Sequence, residues 1–177
     1  LLKNPDINYY CFEADNKNYK CLIENIRLNK IINNNVKNSA ISDIDGQIKF
    51  IKGKTSTTGR LERIKSYKMK NGKKSYFGED LKFSMIESTK LDSVFYQNNI
   101  TYCKLLKIDI EGGEYLLFCD KMEFLQKSKY MIIELHPTEG YSENKLIDKI
   151  KNAGFSIKIN EYNNGCSILY CNNLNLK

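Results

Sequence analysis

Five acids and the chain's single histidine sit where apolar runs stop. Glu13 follows INYYCF, Asp109, Glu111 and Glu114 lie in LLKIDIEGGEYLLF, and Glu134 and His136 lie in YMIIELHP. Apolar runs bounded this way read as buried strands. A carboxylate at a strand end can accept ribose hydroxyls or hold a cationic or hydroxylated ligand. The same acid can instead cap the helix that follows, and that simpler reading is preferred for Glu114. His136 has an ordinary pKa near neutrality, which makes it a natural proton acceptor, with Asp109 and Glu111 as the other candidates. A bland alternative for His136 is a surface ring packed beside Pro137. Gly112 and Gly113 permit a tight turn and a close ligand approach.

For these groups to meet, the runs that carry them must be neighbouring strands. INYYCFEA (7–14) reads as a buried strand, and the next segment, DNKNYKCLIENIRLN, reads as a helix capped by Asp15 or Asn16. Tyr19, Leu22, Ile23 and Ile26 fall on one face of that helix. VKNSAI (36–41) and GQIKFI (46–51) are further strands, and KFSMIES (82–88) alternates like a strand with one exposed face. LDSVFYQ (91–97) suits a short helix. A strand over 105–110 leads into a helix from about Gly113, and YMIIEL (130–135) reads as another buried strand. Ser142 caps a helix whose inner face carries Leu146, Ile147 and Ile150, closed by Gly154. FSIKIN (155–160) and CSILYC (166–171) join through EYNNG as a hairpin. This alternation predicts an α/β sheet, mostly parallel, with an antiparallel pair at its end.

The 177 residues suit a single domain over 1–177, and 41% apolar with 28% charged residues is ordinary globular composition. No run approaches the ~18–20 apolar residues of a membrane helix. No signal-peptide pattern opens the chain, so a cytoplasmic, reducing compartment and no membrane contact are expected. Six cysteines in a chain of this length need no disulfide framework. Cys11, Cys21, Cys103 and Cys119 lie in apolar stretches and read as small hydrophobes. Cys166 and Cys171 are five apart, which matches no common zinc spacing, so no metal is expected.

The net charge of +7 is local: residues 52–74 hold nine basic residues and one acid, +8 in all, leaving −1 elsewhere. Residues 52–80, rich in Lys, Ser, Thr and Gly, read as an irregular excursion. With Tyr67, Tyr76 and Phe77 close by, this segment can engage phosphates and stack on bases or sugars. Most charge runs are only solvated, and an anionic or glycan acceptor is a better expectation than nucleic acid.

The blocks YYCFEADNKNYKCLIENIRLN, NSAISDIDGQIKF, TKLD, LLKIDIEGGEYLLF and IIELH occur in that order, and together they resemble the FkbM family of S-adenosylmethionine-dependent methyltransferases. KIDIEGGE and FEADNKNY are the specific parts, and the likeness covers most of residues 7–136. The resemblance implies a class I methyltransferase fold, a Rossmann-like sheet whose last strand is antiparallel. It also implies that the central first strand and its glycine-bearing turn are missing from this chain. Within the resemblance, Glu13 corresponds to the acid that binds the cofactor ribose, Ser39 and Ala40 to the strand end near the adenine, and Asp109 to the acid near the methionine portion. Family members methylate oxygens of sugars and small natural products, which gives the expected acceptor class. The alternatives are a non-catalytic α/β binding domain and a nicotinamide-dependent protein. The second would need a G-x-G-x-x-G turn, and KIDIEGGE argues against it.

Overall fold

In a computed structural model of the chain, described for residues 7–31, 34–52, 59–70, 73–76, 83–119, 121–161 and 165–176, strand β1 (Tyr9–Phe12) stops one residue before Glu13. Helix α1 (Asn16–Leu28) then starts on the cap that the sequence provides. Asp15 accepts from Lys17 N at 2.8 Å and Asn18 N at 3.2 Å, satisfying two of the amides that a helix start leaves unpaired. β2 (Asn34–Lys37) runs parallel to β1. The run expected as one strand over 36–41 breaks at Asn38 and resumes as β3 (Ala40–Ile41). The Asn38 amide donates to the carbonyls of Glu13 at 2.8 Å and Ala14 at 3.2 Å, which pins the break against the end of β1.

β4 (Gly46–Ile51) is followed by β5 (Arg60–Leu61), by β6 (Tyr67–Lys70) and β7 (Lys73–Tyr76), and by β8 (Phe83–Thr89). One sheet has the order β3-β8-β4-β5, with β3 parallel to β8 and β4 antiparallel to both its neighbours. Helix α2 (Leu91–Gln97) has no cap at Lys90; Asp45 supplies it from the turn before β4, accepting from Lys90 N at 3.0 Å and Ser93 Oγ at 2.7 Å.

The second sheet holds the site. β9 (Cys103–Ile108) and β10 (Ser128–Leu135) are parallel neighbours, separated in sequence by a 3₁₀ turn (Gly113–Phe118) and helix α3 (Glu123–Lys127). Helix α4 (Glu143–Asn152) leads to β11 (Phe155–Glu161) and β12 (Ser167–Asn173), and the order is β11-β12-β10-β9. The terminal pair is antiparallel, as its sequence predicts. Phe118, Phe124, Met131, Ile133, Leu135 and Leu169 form the heart of the larger core cluster. Each such burial contributes about 1.5–3 kcal/mol. A smaller cluster packs Ala40, Ile48, Phe50, Leu61, Ile64 and Leu116, with Ala14 against it. It therefore joins the end of β1, the β3 sheet and the 3₁₀ turn.

The chain is a mixed α/β protein, and three expectations need correcting. Among the described residues three strand pairs are parallel and five antiparallel, so the sheets are not mostly parallel. The extra antiparallel pairs arise because β4 doubles back along β8, and because residues 60–76 are not simply irregular but contribute β5 and the β6–β7 hairpin. Tyr67, Met69 and their lysines alternate in period two, and Asn71-Gly72 follows, a hairpin composition. The cysteine reading holds only for Cys11 and Cys103, the latter packed against the larger core cluster. Cys21 and Cys119 are exposed and Cys11 and Cys103 half-buried, whereas Cys166 and Cys171 are buried; all six are free thiols. Leu105 is 55% exposed, and its register partner Tyr130 on the interior strand β10 is exposed too, so that face of the sheet is uncovered among the described residues. No helix among the described residues is long and apolar enough to cross a membrane.

Candidate functional site

The parallel register pairs Ile108 with Ile133, so the acids after β9 and the Glu134–His136 end of β10 emerge side by side. The chain then turns through two consecutive residues of positive φ, Glu111 at 55° and Gly112 at 98°. Only glycine fits the second place. A Cβ there would lie 2.0 Å from Ser66 Oγ and 2.8 Å from both Ile64 Cγ2 and Thr138 Oγ1. The turn thrusts Glu111 toward β10 and folds Glu114 inward.

Glu114 is fully buried. Its Oε1 accepts from Ile110 N at 3.0 Å and Gly112 N at 3.2 Å, so it caps its own turn. The same oxygen lies 3.0 Å from His136 Nδ1. Because Oε1 is already an acceptor, the ring nitrogen is the donor. His136 is 5% exposed and is no surface ring beside Pro137. Its other nitrogen, Nε2, faces Glu111 Oε2 at 3.6 Å and Glu134 Oε1 at 3.9 Å.

Burial alone would lower the pKa of this ring. The Glu114 hydrogen bond and the charges of Glu114, Glu111 and Glu134 outweigh it and raise the pKa from 6.5 to about 9. At neutral pH the ring as it stands is therefore held in its imidazolium form. A raised pKa means the protonated form is favoured by folding, so its stabilisation is complete below 6.5 and is lost as pH rises through about 9. In chelator-treated protein, urea titrations across that window are expected to show a loss of roughly 3 kcal/mol. His136→Gln should flatten that part of the curve. An identical slope in the variant would assign it to other groups.

The basic excursion is fastened to this rim. Ser66 bridges to Thr138, Tyr67 N donates to Pro137 O at 2.9 Å, and Glu139 N donates to Lys65 O at 3.0 Å. Ser66 Oγ donates to Glu111 O at 2.8 Å, and Thr138 Oγ1 to His136 O at 2.9 Å. Part of its charge is matched locally, with Arg63 paired to Asp43 and Lys65 to Glu139 at 3.8 Å.

The remaining sequence candidates are dispersed around this centre. Asp109 is exposed, with Oδ2 2.7 Å from Lys107 Nζ. Glu13 is half-buried after β1 and accepts from Asp15 N at 2.7 Å; burial, ahead of its hydrogen bonds, raises its pKa. Ser39 and Ala40 are both buried. The Ser39 hydroxyl is within 3.1 Å of Ala40 O and 3.2 Å of Glu87 O, and Ala40 packs in the smaller core cluster. Glu13 and Asp109 make no contact with each other, although Ala14 and Leu116, from their two segments, share that cluster. Sequence reasoning missed Ser66, Thr138 and Cys166. Thr138 lies only two residues past His136, but Ser66 comes in through its bridge to Thr138 and Cys166 through the β10–β12 register.

A family model described as the methyltransferase FkbM domain matches residues 4–157, beyond the stretch carried by the sequence blocks alone. No curated protein and no solved structure matches the chain.

Proposed function

The chain belongs to the FkbM methyltransferase family, and on that premise we propose that it moves a methyl group from S-adenosylmethionine to a hydroxyl oxygen of a sugar, glycan or small natural product. The observation that carries this reading is the convergence of the 109–114 turn and His136 at the carboxyl ends of two parallel strands. Ligands of open α/β sheets bind at such strand ends, and a Rossmann-like core built around β9 and β10 is part of the proposal.

Glu13 fits the nucleoside end of the cofactor. Its carboxylate is half-buried at a strand end, where the Asp15 and Ala14 amides and the Asn18 side chain hold it in place with lone-pair capacity left for a ribose hydroxyl. Ser39 and Ala40, with side chains turned inward, would offer backbone and wall to the adenine. Asp109 would lie toward the methionine portion. When bound, the cofactor supplies an electrophilic methyl on a sulfonium, and orientation provides much of the rate.

The acceptor hydroxyl must lose its proton as the new bond forms. His136 is already protonated at neutrality, so a rim carboxylate takes that proton: Glu111 first, with Asp109 the second candidate. His136 then works as a positioning residue, holding Glu111 and Glu134 electrostatically. An anionic or glycan acceptor would suit the basic segment beside the rim.

The test uses the full-length protein, radiolabelled cofactor and a panel of hydroxylated sugars and glycans. Glu111→Gln should lower turnover about 10²–10⁴-fold. Its affinity for S-adenosylhomocysteine, read by calorimetry, should stay within about twofold, because Glu111 is a proton acceptor and not a cofactor contact. Unchanged turnover would move the proton-accepting role elsewhere. Cofactor binding without transfer to any acceptor would favour the non-catalytic binding domain.

A further inference from the structure

Three donor atoms meet at the end of β10 that nothing in the sequence spacing brings together. The antiparallel register pairs Leu135 with Ser167, so the next step places His136 opposite Cys166. Glu134 and His136 are two residues apart, which puts them on the same side of their strand. The ligand atoms of Glu134, His136 and Cys166 all lie within 4.8 Å of one another. His136 is 5% exposed and Cys166 2%, and Glu134 is half-buried.

We propose that Glu134, His136 and Cys166 form a binding site for a divalent ion of the zinc type, with one further position open to an oxygen ligand. The donor set is the first argument. Imidazole nitrogen, thiolate and carboxylate are the three ligand types zinc takes, and three protein ligands plus one open position is its usual non-structural arrangement. The second argument is the orientation of His136. Nδ1 is spent on the fully buried Glu114, so Nε2 is the nitrogen left to face an ion, and it offers its lone pair once its proton has been displaced. A carboxylate behind a ligating imidazole is the support that metal-bound histidines generally have. The third is the spacing. Nε2 makes no hydrogen bond, and its 3.9 Å to Glu134 Oε1 is too long for one. Two donors each about 2.1 Å from a shared ion stand roughly 3.4 Å apart at the tetrahedral angle, so His136 and Glu134 need to close by about half an ångström. Glu111 Oε2, though nearer to Nε2 at 3.6 Å, is not part of the group that includes Cys166.

Binding forms metal–sulfur, metal–nitrogen and metal–oxygen bonds and releases the thiol proton together with any proton held on Nε2. Glu111 and Asp109 stay outside the ligand set. Asp109, Glu111 and His136 also come within 4.8 Å of one another, but Asp109 is exposed and already paired with Lys107. This site does not depend on the methyl-transfer reading.

Cobalt(II) is the probe, added to the chelator-treated full-length protein without cofactor. A thiolate-to-metal band in the near ultraviolet is expected, saturating at one equivalent and displaced by one equivalent of zinc. Cys166→Ser should abolish the band and weaken zinc at least about tenfold, and Glu134→Gln should weaken zinc by a similar factor. Cys119→Ser, at an exposed thiol, should change neither. Circular dichroism and urea midpoints check that the variants are folded. The proposal is overturned if no thiolate band appears, if the band survives in Cys166→Ser, or if Asp109→Asn weakens the ion as much as Glu134→Gln does.

Discussion

Glu114→Ala is expected to cost about 3–5 kcal/mol, a large fraction of the roughly 5–15 kcal/mol that holds an ordinary domain folded. The carboxylate is fully buried and its Oε1 is the common acceptor for Ile110 N, Gly112 N and His136 Nδ1. Truncation leaves two buried amides without a partner and a buried imidazolium without its nearest counter-charge, and it opens a void in addition. Urea unfolding at neutral pH measures the loss. Glu114→Gln separates the contributions, because it keeps the volume and an acceptor oxygen for the amides but removes the charge. The pKa of His136, followed by NMR, should then fall from about 9 toward 6.5. A Glu114→Ala protein within about 1 kcal/mol of the parent would mean the turn reorganises around the missing acid.

Gly112→Ala is the second large effect, expected at about 2–4 kcal/mol. A side chain at φ +98° is strained by ~1–2 kcal/mol before any contact is counted. The added Cβ then meets Ser66 Oγ at 2.0 Å, with Ile64 and Thr138 close behind. Ser66 is itself buried and tied to Glu111 O, so it cannot move without giving up that bond. The clash and the strain can be told apart in a double-mutant cycle. Ser66→Ala alone should be mildly destabilising, yet in the Gly112→Ala background it should recover part of the loss. Strict additivity of the two changes, measured by urea midpoints, would show that the backbone strain is the whole effect.

Much of the frame could be read from local pattern. Helix α2 falls on 91–97, α1 begins on the Asp15 cap, and β4 spans 46–51, because each rests on a signal confined to a few residues. What failed was whatever depends on a distant partner. The apolar run of β9 does not tell whether a second layer covers both faces of its sheet; Leu105 and its partner Tyr130 show that one face is open among the described residues. The sheet direction is not legible locally because β4 meets β8 only through the long-range register that starts at Gly46↔Ser88. The acids of the 109–114 turn were legible as a group with chemistry to do. That Glu114, read as a simple cap, would also anchor His136 was not, since the two are 22 positions apart. Cys166 was dismissed on spacing alone, and spacing says nothing about a residue delivered by an adjacent strand.

The clasp between residues 65–67 and 137–139 ties the mobility of one segment to that of another. Ser66 grips the carbonyl of Glu111, the Tyr67 and Glu139 amides are exchanged across the same joint, and Thr138 closes on His136. Opening the joint at its centre would strand the buried hydroxyls of Ser66 and Thr138, whereas the Lys65–Glu139 bond lies at its exposed margin. The positively charged hairpin and the acid-bearing turn therefore breathe together, as one cooperative unit. A ligand that holds the segment starting at Ser66 would also damp the fluctuations of the Glu111 turn to which Ser66 is bonded.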